Sequence, residues 1–185
     1  MRFRDIEQFT RPGNYQVNVS LLHIPRTLED YKTDFGLEMN PDFQRGNVWT
    51  PEQQTAYMEF FLKGGKTGKV IYFNHPNFIG FGNKDTDVPN MLLVDGLQRL
   101  TAVLGFLENE VPVFGGYYFK DFEDKPRLTE YDLVFNVNNL QYRKDVLKWY
   151  IEMNSGGTVH STEEIERVKR LLEAETHKSE KEPER

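Results

Sequence analysis

The segment Leu93-Val94-Asp95-Gly96-Leu97-Gln98-Arg99-Leu100 sets a carboxylate, a glycine, an amide and a guanidinium within five consecutive positions. These residue types suit phosphate chemistry. Arg99 carries a fixed fork of donors for phosphate oxygens, and Asp95 can orient a water or hold a cation beside them. If a helix starts here, its free backbone N–H groups add a further anion-binding element. The same spacing also reads as a capping box, with Asp95 at the N-cap and Gln98 at N3, which needs no ligand at all. Two other segments carry usable groups. In Asn40-Pro41-Asp42-Phe43-Gln44-Arg45-Gly46-Asn47-Val48-Trp49, Gln44 and Arg45 can hydrogen-bond a base or a phosphate, while Phe43, Val48 and Trp49 equally well plug a core and staple a helix entry. Asn154-Ser155-Gly156-Gly157-Thr158 is a glycine-rich turn whose bare backbone can approach a phosphate, or simply end a helix. Gly64-Gly65-Lys66-Thr67-Gly68-Lys69 is not a P-loop. It follows a helix pattern and leads into a strand, and Phe60 stands where the first glycine belongs, so it reads as a basic connector.

The elements that must position these groups follow from periodicity. Tyr15, Val17 and Val19 alternate with polar residues as a short strand, and residues 28–35 suit a brief helix. Thr50, Pro51 and Gln53 mark a capped helix start with Ala56, Tyr57, Phe60 and Phe61 on one face, ended by Gly64 and Gly65. Residues 69–73 and 91–94 are apolar, partly β-branched runs that read as buried strands, joined by a loop over 74–90. Leu97, Leu100, Val103, Leu104 and Leu107 keep helical spacing, so Asp95-Gly96 is a strand-to-helix turn. Tyr131, Leu133, Phe135 and Val137 alternate as another strand. Val146, Leu147, Tyr150 and Ile151 form a helix that stops at the 154–157 turn. Strands mixed with helices predict an α+β domain over residues 1–160. Of the last 25 residues 14 are charged, which predicts a charged helix with an Ile165, Val168, Leu171, Leu172 stripe and then, beyond Glu175, a disordered tail over the remainder of 161–185.

Composition removes several function classes. The 185 residues hold 9 Tyr, 14 Phe and 2 Trp, too many rings for a disordered chain, and suit one folded domain with one site. Without cysteine there is no disulfide, thiolate nucleophile, iron–sulfur cluster or cysteine-held zinc, and a reducing cytoplasm fits. The four histidines are scattered, with no pair at i,i+4, so no protein-held metal site is expected. No apolar run has the length of a membrane span. The formal net charge of −6 means that any DNA contact must use a local basic patch.

Taken in order, the Gln44-Arg45 to Trp49 segment with its following helix, Val94-Asp95-Gly96-Leu97-Gln98-Arg99-Leu100-Thr101-Ala102, and Met153-Asn154-Ser155-Gly156-Gly157-Thr158 resemble the N-terminal domain of GmrSD-type restriction endonucleases, part of the ParB and sulfiredoxin-like superfamily. The resemblance spans residues 40–167 and implies a mixed sheet with packed helices. It further implies a nucleotide-binding domain in which an Asp-Gly-Gln-Gln-Arg motif supports nucleoside triphosphate hydrolysis, with Mg²⁺, linked to a DNA-cutting partner domain. On this basis Asp95, Gln98 and Arg99 are the expected catalytic residues, with Gln98 orienting the nucleophile. Gln44, Arg45, Gly96, Thr101, Asn154, Ser155, Gly156 and Gly157 are the expected nucleotide-binding set, with Arg45 and Arg99 clamping one phosphate-sized anion. Leu97 departs from the family's usual Gln, and no HNH-type nuclease pattern follows. A stand-alone sensor in phage defence or counter-defence is therefore one expectation. The other is a non-catalytic module that binds a nuclease or restriction subunit, or DNA, as an inhibitor or decoy. An autonomous nuclease fits the acidic charge and the missing metal ligands poorly.

Overall fold

The computed structural model describes residues 2–11, 13, 15–44, 46, 48–78, 85–127, 130–155 and 162–181. Among the described residues four strands and five α-helices follow in the order β1 (Tyr15–Ser20), α1 (Ile24–Phe35), α2 (Pro51–Leu62), β2 (Val70–Asn74), β3 (Leu92–Asp95), α3 (Leu97–Leu107), β4 (Asp132–Asn138), α4 (Arg143–Ser155) and α5 (Thr162–Lys181). The strands form one mixed sheet, β1-β4-β2-β3, in which β4 runs antiparallel to β1 and parallel to β2, and β2 runs antiparallel to β3. The architecture is α+β, as the sequence pattern predicts.

Alternation along the strands gives the sheet two apolar faces. Leu133, Phe135 and Val137 of β4, Ile71 and Phe73 of β2 and Leu93 of β3 pack against α1, α2 and α3 on one side. Leu92 and Val94 of β3 look to the other side, where Phe43, Val146, Leu147, Trp149, Tyr150 and Val168 bring α4 and α5 onto the sheet. Helix α5 is thus a wall of the second core. Its helical path runs to Lys181, six residues beyond the stop expected at Glu175. Glu175 accepts from Lys178 at 3.2 Å and faces Arg143 at 3.6 Å, and such pairs carry a helix past its last buried residue. Among the described residues no helix is long and apolar enough to cross a membrane.

Two helix starts differ from expectation. Helix α1 begins at Ile24, four residues before Leu28, because Pro25 suits a first turn and Ile24, Leu28 and Tyr31 together make the buried stripe. Helix α3 has Gly96, not Asp95, as its N-cap, and no described side chain caps it, so the capping box expected of Asp95 and Gln98 does not form. The Thr50 box does form: Gln53 N–H donates to Thr50 Oγ1 at 3.3 Å and Thr50 N–H donates to Gln53 Oε1 at 2.9 Å.

Just past β2, His75 is buried with its ring 4.9 Å from Phe35, and its Nδ1 accepts from Asn77 N–H at 3.3 Å. Burial holds its pKa below the ordinary 6.5. The folded protein therefore favours the neutral ring, while the unfolded chain takes up a proton below pH 6.5. Stability from this residue is complete above that pH and erodes as pH falls below it. Melting temperature measured from pH 7 to pH 5 is expected to drop, and His75→Gln to flatten that part of the profile.

Candidate functional site

Strand β3 does not end regularly. The β2–β3 register slips between Tyr72 and Phe73: Tyr72 opposes Asp95 while Phe73 opposes Leu93, leaving Val94 as the extra residue of a bulge. A bulge re-aims the side chain beside it, and here that side chain is the Asp95 carboxylate. The chain then turns at Gly96 with φ at +109°. A Cβ there would stand 2.6 Å from Ile71 Cδ1, so the conformation favours glycine and any side chain would have to push Ile71 aside. Helix α3 starts at the next residue with its first turn uncapped by any described side chain, and its first N–H groups lie at the end of the strand.

On that first turn Leu97 faces the main core and is 8% exposed. Arg99 reaches back one turn, and its Nη2 donates to Asp95 Oδ2 at 2.5 Å. Both side chains keep some access to solvent, 19% for Arg99 and 32% for Asp95. The Arg99 stem runs beside the basic connector: its Cδ lies 3.9 Å from where a Cβ on Gly68 would stand. Tyr57 of α2 closes that side by donating its hydroxyl to the Gly68 carbonyl at 2.9 Å. Burial pushes the Tyr57 phenol up to about 12, against the pull of the Arg99 charge, so it stays a protonated donor. Trp49 packs on Tyr57 with ring centroids 5.4 Å apart.

Gln98 does something that its position alone does not announce. Its Oε1 accepts from the N–H groups of both Val48 and Trp49 at 2.9 Å, and its Nε2 donates to the Gly46 carbonyl at 2.6 Å. Gln44 answers from the other direction, donating from Nε2 to the carbonyls of Leu93 at 3.0 Å and Val94 at 2.9 Å. Two amides therefore tie the segment before α2 to the β3–α3 junction. Further along, Arg143 of α4 donates from Nη2 to both oxygens of the Asp42 carboxylate, at 2.6 and 2.8 Å. Arg167 of α5 donates to the backbone carbonyls of Asp42, Phe43 and Gln44 at 2.5, 2.8 and 3.2 Å.

The structure thus brings Gln44, Asp95, Gly96, Gln98 and Arg99 to one junction. Gln98 sits there as a clamp, with both lone pairs of its amide oxygen in use. Arg45 lies outside the described residues, although its chain neighbours Gln44 and Gly46 are both fixed at the junction. Thr101 spends its hydroxyl on the Leu97 carbonyl at 2.8 Å, inside its own helix. Asn154 likewise donates to the Tyr150 carbonyl at 2.7 Å, Ser155 is the last residue of α4, and Gly156 and Gly157 lie outside the described residues. Helix α4 approaches the junction through Trp149, whose ring stands 5.9 Å from that of Tyr72, the strand partner of Asp95. Tyr57, Gly68, Arg143 and Arg167 escape sequence reasoning. A reader of the chain sees only a core ring, a connector glycine and two charged helix residues, because their partners are remote in sequence. Among the described residues no three His, Cys, Asp or Glu side chains gather as a metal cage.

No curated protein and no solved structure matches the chain. A family model, described as GmrSD restriction endonuclease, N-terminal domain, matches residues 26–180. The match runs from the first turn of α1 into the final turn of α5 and takes in the whole junction with its anchors. The chain therefore belongs to the GmrSD restriction endonuclease N-terminal domain family.

Proposed function

We propose that the domain binds a nucleoside triphosphate at the β3–α3 junction and hydrolyses it in the service of DNA restriction. The observation that carries this reading is a helix start at a positive-φ glycine, uncapped by any described side chain, with Arg99 and Asp95 flanking it. Anions favour such a helix terminus, and a guanidinium adds bidentate recognition. Without ligand, Asp95 and Arg99 neutralise each other. An arriving phosphate exchanges that contact: Arg99 turns its fork to the phosphate oxygens, and the Asp95 carboxylate is released. Asp95 then holds the attacking water and takes its proton as the water oxygen bonds to the γ-phosphorus. The bond to the β-phosphate bridging oxygen breaks, and Arg99 stabilises the spreading charge. Gln98 and Gln44 contribute by fixing the neighbouring segment in place. In a Mg²⁺-dependent version Asp95, in place of holding the water, would hold the ion together with phosphate oxygens, a donor set that Mg²⁺ accepts, and the ion would neutralise phosphate charge.

Leu97 and Gln98 favour a second reading, in which the module binds nucleotide without turnover and acts by contact with a nuclease subunit or DNA. Leu97 is buried where the resemblance leads one to expect Gln, and the Gln98 amide is engaged by backbone. A thermal-shift panel of ATP, GTP, CTP and UTP with Mg²⁺, followed by phosphate release, separates the readings. Ligand at 100 times its Kd raises stability by about 2.7 kcal/mol. Wild-type turnover supports hydrolysis; binding without turnover, restored by Leu97→Gln, supports the contact module. Leu97→Gln is expected to cost about 1–3 kcal/mol of stability by burying an amide. A protein that no triphosphate stabilises sinks both.

A further inference from the structure

Beside the junction, on the α4 side of the sheet, lies a cavity of about 210 Å³ lined by Phe9, Thr10, Tyr72, Trp149, Glu152 and Met153. We propose that this cavity takes the base of the nucleotide whose phosphates bind at Asp95 and Arg99, an inference that rests on the reading above. Tyr72 belongs to both places, since it forms one wall of the cavity and opposes Asp95 across the β2–β3 ladder.

The lining has the chemistry of a base site. Most of its walls are aromatic or thioether, and Tyr72 and Trp149 meet edge to face there. An apolar cavity of about 150 Å³ already holds one benzene ring, so the space here admits a larger flat heterocycle. Phe9 is the telling residue. It is 72% exposed at the rim, a ring that the fold does not bury and that can close over a stacked base. The one charged group is the Glu152 carboxylate, whose side chain is only 11% exposed. Its Oε2 accepts from Thr10 N–H at 2.8 Å, while among the described residues Oε1 faces Lys148 at 3.9 Å and accepts no hydrogen bond. That leaves one oxygen to accept an N–H from the edge of a base.

The test compares the four nucleoside triphosphates with inorganic tripolyphosphate and free nucleosides by calorimetry on the full chain. In the wild type the nucleotides are expected to bind about 5- to 150-fold more tightly than tripolyphosphate, the range that base–aromatic stacking supplies. Phe9→Ala, a change at an exposed residue, should erase most of that difference and leave tripolyphosphate unaffected. Glu152→Gln should reorder the four nucleotides, because the amide adds a donor where there was only an acceptor. Equal wild-type affinities for tripolyphosphate and nucleotides, or a difference untouched by Phe9→Ala, overturn the base pocket while leaving the junction reading intact; an unchanged order in Glu152→Gln overturns the part given to Glu152. Binding of nucleosides without tripolyphosphate overturns the junction reading instead, and a protein that binds none of them overturns both.

Discussion

Arg99→Ala should leave a folded protein that nucleoside triphosphates stabilise far less than they stabilise the wild type. Two arguments set the size of the effect. A hydrogen bond to a charged partner contributes about 1.5–3 kcal/mol, so losing the guanidinium costs roughly 10- to 150-fold in affinity, and more where two phosphate oxygens shared the fork. The structural cost is small by comparison. The Asp95–Arg99 pair is an i,i+4 contact on a partly open surface, worth about 0–1 kcal/mol, so the unliganded melting temperature should move by only about 0–4 °C. Arg99→Lys is the informative companion. It keeps the charge and loses the planar fork, and should recover some binding but not the full affinity. An Arg99→Ala protein that binds triphosphates as the wild type does would remove the guanidinium from the site.

Gly96→Ala is expected to have the largest effect on stability of any single methyl addition at the junction. The residue sits at φ +109°, where a side chain is strained by about 1–2 kcal/mol, and the added Cβ meets Ile71 Cδ1 at 2.6 Å. Overpacking of that kind costs a further 1–3 kcal/mol or so. The total of about 2–5 kcal/mol corresponds to a fall of roughly 4–20 °C in melting temperature for a chain of this length. The two causes can be separated. Ile71→Val removes the offending Cδ1 at its own cost of about 0.5–1.5 kcal/mol, so in the double variant the steric part of the Gly96→Ala penalty should shrink, leaving the milder contacts to Cγ2 and Cα at 3.2 and 3.3 Å, and the conformational part remain. If the double variant is as unstable as the sum of the two single changes, the clash is not what excludes a side chain from position 96.

What the sequence makes legible depends on how far apart the interacting residues lie. The Thr50 and Gln53 box closes over three residues, and it is present as expected. The β3–α3 junction was visible for the same reason, since strand, glycine and helix stripe are contiguous. The error there was local too: Asp95 and Gln98 have capping-box spacing, but Asp95 has an alternative partner in Arg99 on the next turn, and Gln98 has one in the backbone at Val48 and Trp49. Spacing cannot rank a cap against a guanidinium. Nor can it reveal that Gln44 anchors to Val94, 50 residues on, or that Arg167 grips the carbonyls at 42–44 from about 125 residues away. In the chain these are two ordinary polar residues of a loop and a charged helix; only the folded sheet makes them neighbours of Asp95.

The strand order has a consequence for how the molecule comes into being. The strand at the heart of the sheet, flanked by β1 and β2, is β4, and it is the last of the four to leave the ribosome. Until residues 132–138 are synthesised, β1 has no ladder partner at all, and β2 can pair only with β3. A nascent or prematurely ended chain therefore carries bare strand edges and an open apolar face, the features that recruit chaperones and seed aggregates. Assembly waits on one late insertion that joins residue 15 to residue 137, a long-range closure of the kind that makes folding slow. An N-terminal fragment lacking β4 thus has helices to show but no completed sheet, with the edges of β1 and β2 left without their β4 partners.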